Sequence, residues 1–427
     1  MKLKNILLAS GSAIVLSAAG AIADNNEAHL DQNGTDNSAL IQQTGNNNDA
    51  GASGTEMTQT GYINKLSILQ SGSYNEIGLE ANSNGGPDGV YQNSNRSSDA
   101  AGANHINVIQ SSSLNVIGAI SQSSTGTNTF LGSNSATITQ ASDGPFSGAN
   151  RVGSVSQSRG SSSGNALTVT QGGRLNNIER ISQRTTQGGN QTNTLTVAMT
   201  GTLNGTTVPL SGPAGASGAQ ASVLIQGDAS AQARNSSANL DVSGTGNRFG
   251  VTQYGQGNTV GTLTLGGNFN QLGTYQVGTD NVITVAAVSG TLNNIGISQN
   301  GVTNEAKADV DGDFNGLGID QIGTSNDADV TITGDDNGWD RGFNGSAASV
   351  GLGQSGLVAQ NGIGNFAELT VTGSSNAFAF DQTGDDNDIS GTQTGNLNQV
   401  AVAQTGSSNN TASFSQSGSG NNAGIMQ

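Results

Sequence analysis

The sequence predicts an all-β fold: a β-solenoid of strand–turn–strand rungs, two arcs and about 22–23 residues each, amyloid-competent and without caps. Three observations predict it. One six-residue phrase recurs along the chain, the residues between its copies alternate in polarity, and the composition cannot supply a conventional core.

The phrase is Gln-x-Gly-x-x-Asn. It opens at Gln32, Gln43, Gln59, Gln70, Gln253, Gln276, Gln299, Gln321, Gln360, Gln382, Gln393, Gln404 and Gln416. An aliphatic residue replaces the glutamine at Val242, Leu265, Val288, Val310, Ile332 and Val371. From Val242 to Ile332 the two kinds alternate, so the true period is two half-repeats. A fixed period of this length marks a repeat architecture.

Between phrases runs Asn-x-φ-x-φ-x-Gln, where φ is apolar, as in Asn398, Val400, Val402, Gln404 and in Asn376, Phe378, Phe380, Gln382. Period-two alternation over seven residues is a strand with one buried face. The Gly-x-x-Asn that follows is turn chemistry, since Gly and Asn tolerate positive φ. Stacked rungs would set each inward amide above its equivalents, pairing groups that are costly to bury alone. The expected ladder residues are Asn26, Gln32, Gln43, Gln70, Gln253, Gln276, Gln299, Gln321, Asn376, Gln382, Gln393, Asn398, Val400, Val402, Gln404, Gln416, Asn421 and Gln427. The expected turn glycines are Gly255, Gly278, Gly301, Gly323, Gly384, Gly395, Gly406 and Gly418. About fifteen rungs at the strand spacing would measure on the order of 70 Å.

Composition agrees. The chain has 427 residues with 65 glycines, 33% hydrophobic and 10% charged residues. An ordinary domain carries about 25% charged residues, and so dilute an apolar content suits a thin core only. No cysteine is present, which excludes a disulfide framework. A net charge of −17 disfavours nucleic acid and anionic membranes as partners.

Residues 1–23 differ from the rest. Lys2 and Lys4 precede an apolar run from Ile6 to Ala19, and Ala21 and Ala23 occupy the small-residue positions of a cleavage site. This predicts a signal peptide cleaved after Ala23, secretion, and no membrane span in the mature chain. The remaining segments are 24–81, N-terminal repeats; 82–241, degenerate repeats with extended turns; 242–337, regular repeats; 338–359, an insertion containing Trp339; and 360–427, C-terminal regular repeats. Pro87, Pro145 and Pro213 fall in insertions, whereas Pro209 predicts a strand with a broken ladder.

Catalytic chemistry is poorly supplied, and no enzymatic activity, cofactor or metal is expected. His29 and His105 are the only histidines and fall at outward positions, which leaves no base to pair with a nucleophile and no zinc set. Calcium is the rival. Asp309-Val-Asp311-Gly-Asp313 imitates an EF-hand start with Asp320 at its twelfth position, but Phe314 stands where that loop needs glycine. Gly-Asp-Asp-Asn at 334–337 and 384–387 resembles β-roll turns at the wrong period; charged turns that slow premature aggregation are the simpler reading. An ice-binding face would want a regular Thr array, and the outward residues Gln399, Ala401, Ala403 and Asn294, Gly296, Ser298 are mixed.

The phrases Asn398 to Gln416 and Asn421-Asn-Ala-Gly-Ile-Met-Gln427 resemble the curlin repeat of bacterial curli fibres. The resemblance runs from Asn26 onward. It implies an extracellular functional amyloid, exported unfolded through an outer-membrane secretion channel, polymerising on a nucleator subunit into adhesive biofilm matrix. The first strand (Asn26, Ala28, Leu30, Gln32) starts just after the expected cleavage site and the last ends on Gln427, so uncapped rungs are expected to stack end to end. The alternative is a monomeric secreted β-solenoid or β-roll adhesin stabilised by calcium.

Overall fold

The computed structural model describes residues 7–8, 13–16 and 24–427, apart from 53–54, 80–87, 96–103, 126–132, 142–148, 161–162, 186–190, 339–340 and 407. The chain is 64% strand and 3% helix, with about 14 solenoid turns in all. It forms two compact units: unit 1, residues 1–206 and 222–236, and unit 2, residues 207–221 and 237–427.

In unit 1 the first sheet contains Leu30–Thr35, Met57–Tyr62, Val90–Ser94, Val116–Ser124, Arg151–Arg159, Asn177–Thr185 and Val223–Gln226. The second contains Ser38–Gln43, Asn64–Gln70, Asn104–Gln110, Asn134–Gln140, Gly164–Gln171 and Thr192–Met199. Every named pairing is parallel and steps one rung, as Asn104↔Asn134 and Gln110↔Gln140 show. Successive strands of the chain alternate between the sheets, so each turn contributes one strand to each. Ile106, Val108, Ile138 and Val169 from one sheet and Ile117, Ile120, Val155 and Ile181 from the other are fully or almost fully buried between them.

Unit 2 repeats the plan more regularly. Its first sheet runs from Arg248–Gln256 through Gln271–Thr279, Asn294–Val302, Gly316–Thr324, Leu357–Ile363, Ala377–Thr383 and Gln399–Thr405 to Asn422–Met426. Its second runs from Ser237–Val242 through Thr259–Leu265, Val282–Ser289, Glu305–Asp311, Asp327–Thr333, Phe366–Thr372 and Asp388–Asn396 to Thr411–Ser419. The alternation of glutamine and aliphatic phrases has a simple spatial meaning. Glutamines line one sheet's end of the core, and Val242, Leu265, Val288, Val310, Ile332 and Val371, all buried, line the other's.

One expectation changes, and one gains detail. Pro209 lies outside any strand, in the insertion 205–222, so no ladder is broken there. Of the expected signal peptide, Leu7–Leu8 pairs with Asp31–Gln32 and Ala13–Leu16 with Ser38–Ile41; in the uncleaved chain this edge is therefore covered, not open. Ala21, Ala23, Pro87, Pro145 and Trp339 lie outside the described residues.

The ladder core and its docked helices as candidate functional site

The repeated polar residues are buried and form continuous hydrogen-bonded columns. Gln276 is 0% exposed. Its Nε2 donates to Gln299 Oε1 at 2.9 Å, to Asn281 O at 3.0 Å and to Thr259 O at 3.1 Å. One amide thus links the next rung and ties off two carbonyls at the adjoining corner. The column continues Gln299→Gln321→Gln360→Gln382→Gln404→Gln427, with Gln253 donating to Gln276 at its other end. In unit 1 the corresponding columns run Gln32→Gln59→Gln92→Gln122→Gln157→Gln183→Gln226 and Gln43→Gln70→Gln110→Gln140→Gln171. Gln393 donates to Gln416 where the aliphatic column of unit 2 returns to glutamine. In each of these Gln–Gln bonds the amide donates toward the later rung.

The asparagines do the reverse. Asn304 Nδ2 donates back to Asn281 Oδ1 at 3.1 Å and forward only to a main-chain oxygen, that of Gly323, at 3.1 Å. Its Oδ1 accepts both the backbone N–H and the Nδ2 of Asn326. Asn48 to Asn26, Asn376 to Asn337 and Asn421 to Asn398 bond in the same sense, and Asn398 accepts that amide while its own N–H donates to Asn376 Oδ1. Val400 and Val402 lie fully buried beside this column.

The turn differs from expectation in one respect. The eight expected turn glycines all take positive φ, from Gly406 at 81° to Gly301 at 143°, with Gly255, Gly278, Gly323, Gly384, Gly395 and Gly418 between. The ladder asparagine does not. The second left-handed position belongs to the residue before it: Asp280, Thr303, Ser325, Phe269, Leu292, Phe314 and Leu397 have φ of 54–62°. The asparagine serves the ladder through its amide, as expected, but not the turn through a positive φ.

Acidic turns also acquire a specific task. Asp313 Oδ1 accepts the N–H of Thr291 at 2.7 Å, Asp335 Oδ1 that of Asp313 at 2.9 Å, and Asp385 Oδ1 that of Ile363 at 3.0 Å. Asp309 and Asp311 lie on a strand while Asp313 lies at the corner, and among the described residues no three His, Cys, Asp or Glu side chains are grouped to hold a metal. His29 Nε2 is 3.5 Å from Glu27. His105 is exposed on the outward face of its strand; partial desolvation of its ring, then the nearby Lys65 charge, holds its pKa below the ordinary imidazole value.

Two of the expected insertions carry short helices that the sequence reading did not foresee. Helix α1 (Gly212–Ala216) and helix α2 (Gly345–Ser349) both lie on the outward face of the first sheet of unit 2. They dock in the same way. The residue before α1, Ser211, donates its N–H to Gln271 Oε1 at 2.9 Å; the residue before α2, Asn344, donates its N–H to Gln399 Oε1 at 2.8 Å. One rung later, Asn294 Oδ1 accepts from Ala214 N at 2.8 Å and Asn422 Oδ1 from Ala347 N at 2.7 Å. The amides of those asparagines return bonds to Ser211 O and Asn344 O. Glycine makes the seat: a Cβ on Gly296 would stand 1.8 Å from Pro213 O, and one on Gly424 would stand 2.1 Å from Ser346 O. A Gln followed one rung later by Asn-x-Gly is therefore a two-rung receptor for a short helix. We expect Gly296→Val to expel α1 while leaving the rungs intact, seen as new protease cleavage within 205–222 at unchanged β-sheet circular dichroism. The mixed outward residues Gln399, Ala401, Asn294 and Gly296 belong to this helix-covered sheet, and Ala401 is fully buried there. They carry no information about the second sheet.

The arrangement stores no reactive group. Its chemistry is hydrogen-bond templating: each rung offers the donors and acceptors that the next identical rung needs. In the described structure no helix is long and apolar enough to cross a membrane. No curated protein matches the chain. Residues 23–61, which include the first three strands of the repeat with Gln32, Gln43 and Gln59, match the family model described as the curlin associated repeat.

Proposed function

We propose that the protein is a secreted structural subunit that polymerises into curli-like extracellular fibres by stacking of solenoid rungs. The observation that carries this is the in-register column of buried Gln and Asn amides. Gln276 and Asn304, typical members, bond to identical residues on neighbouring rungs and to main chain. A rung of a second copy satisfies these requirements as well as an internal one does. The chain's partner is then itself, with a curli-type nucleator and an outer-membrane channel supplying initiation and export. Its place is the cell surface and the biofilm matrix, reached through the periplasm after cleavage at Ala23. The role is adhesive and mechanical, not enzymatic.

Purified chain from residue 24, incubated with thioflavin T and imaged, tests this. Fibres with a cross-β diffraction spacing support the reading; a chain that stays monomeric for days overturns it.

Acidity should favour the folded state. Burial raises the pKa of Asp320; burial, then neighbouring Glu305 and Asp329, raises that of Asp327; burial, then Glu27, raises that of Asp49. A carboxyl with a folded pKa above its unfolded value binds its proton more readily in the folded state, so stability rises as pH falls through that folded pKa. The gain is complete below the ordinary carboxyl value of 3.8. His105 opposes it: its lowered pKa makes protonation below 6.5 destabilising. The raised carboxyls predict a rise in urea midpoint as pH falls from neutral into the carboxyl titration range. Asp320→Asn should reduce that rise.

A further inference from the structure

The second sheet of unit 2 presents a flat, ordered array of hydroxyl groups, for which the fibre reading has no use. Thr331 and Thr333 stand beside Thr370 and Thr372, these beside Thr392 and Thr394, and these beside Ser415 and Ser417, all in parallel register. All but the half-exposed Thr331 are exposed. The residues between them point inward: Ile332, Val371, Gln393 and Gln416 are buried in the ladder described above. Unit 1 has a smaller array of the same kind, Thr137 and Thr139 in register with Thr168 and Thr170.

Positions two apart on a parallel strand are separated by about 6.6 Å, and neighbouring rungs by about 4.8 Å. The array is therefore a two-dimensional lattice. Threonine is β-branched and stiff at χ1, which fixes a methyl and a hydroxyl at each lattice point. Only one of these hydroxyls is used within the array, Thr392 Oγ1 to Ser415 Oγ at 3.2 Å.

What could such a face bind? It has no concavity for a small molecule, and its charges, Asp309, Asp311, Asp329 and Glu368, stand at its margin. The one aromatic group of this face, Phe366, lies at the far end of its strand from Thr372. What remains at its centre is a periodic, hydrogen-bonding surface. We propose that the face formed by Thr331, Thr333, Thr370, Thr372, Thr392 and Thr394 binds ice. Its two spacings lie close to the oxygen repeats of the prism plane, so hydroxyls can join the lattice while methyl groups order the water between them. Each contact is weak, and the affinity comes from their number on a rigid scaffold. This holds for a single chain as for a fibre, so it stands apart from polymerisation.

β-propensity alone would also place Thr on a strand surface, and the test must separate the two. The chain from residue 24, soluble and fibrillar, is partitioned into slowly growing ice beside an albumin control, with ice recrystallisation as second readout. We expect enrichment in ice of several-fold over albumin. The quadruple variant Thr370→Lys, Thr392→Lys, Thr139→Lys, Thr170→Lys should abolish it with β-sheet circular dichroism unchanged, and Asp241→Lys, on the same sheet outside the array, should not. Exclusion of the wild-type chain from ice, equal partition of all variants, or binding to crystalline cellulose without ice binding would overturn the proposal.

Discussion

Gly301→Ala should cost about 3 kcal/mol or more of stability, through a left-handed backbone and a steric block together. Gly301 has φ of 143°, a conformation open in practice to glycine alone, and a Cβ there would stand 1.8 Å from Gly323 O on the next rung. The obstacle is main chain, which cannot rotate away. The rungs must separate, and that strains the Gln299–Gln321 and Asn304–Asn326 bonds beside it. Gly406 and Gly342 supply the comparison. Gly406 has φ of 81° with nothing within 4 Å of a Cβ, so Gly406→Ala should cost only the backbone strain, about 1 kcal/mol. Gly342, with neither constraint, should tolerate alanine. Urea unfolding of the three variants checks the order, and equal losses would show that stacking distance does not limit stability.

Asn304→Ala should cost about 3–5 kcal/mol, because it leaves buried main-chain groups unpaired as well as removing a side chain. Gly323 O loses its amide donor and the N–H of Asn326 loses its acceptor, both beside a residue that is 0% exposed. Asn304→Asp separates the two halves of the amide's task. The carboxylate still accepts from Asn326 but opposes Asn281 Oδ1 and Gly323 O, which now face a charge instead of a donor. Its pKa should be raised, so this variant should be weakest at neutral pH and recover stability as pH falls through that raised value. A flat pH dependence relative to Asn304→Ala would mean that the amide donor is dispensable.

Most of the fold was legible because the same residue must recur wherever rungs stack. The spacing of Gln253, Gln276, Gln299 and Gln321 is a spatial column written along the chain. The aliphatic phrases from Val242 to Ile332 likewise mapped onto one sheet. Local spacing could not assign the left-handed position at each corner, because bulky Phe269, Leu292 and Phe314 occupy it against their preference. The docked helices were missed for a different reason. Ser211 and Gln271 are 60 residues apart and Ala347 and Asn422 are 75 apart, and no periodicity connects them. A signal existed nonetheless: Asn-Gln-Leu-Gly then Asn-Asn-Ile-Gly at 270–273 and 293–296 is echoed by Asn-Gln-Val-Ala then Asn-Asn-Ala-Gly at 398–401 and 421–424. The threonine lattice was overlooked because the strands sampled for it all lie on the opposite sheet.

The opposed directions of the two amide columns carry an electrical consequence. Gln276 donates toward Gln299, whereas Asn304 donates back toward Asn281. Head-to-tail amides in one direction would add their dipoles with every rung, as peptide units do along an α-helix, until the ends carried appreciable partial charge. Here the glutamine column polarises one way and the asparagine columns the other, so their contributions oppose each other within each unit. A stack built this way lengthens with a smaller axial field than columns of a single sense would raise.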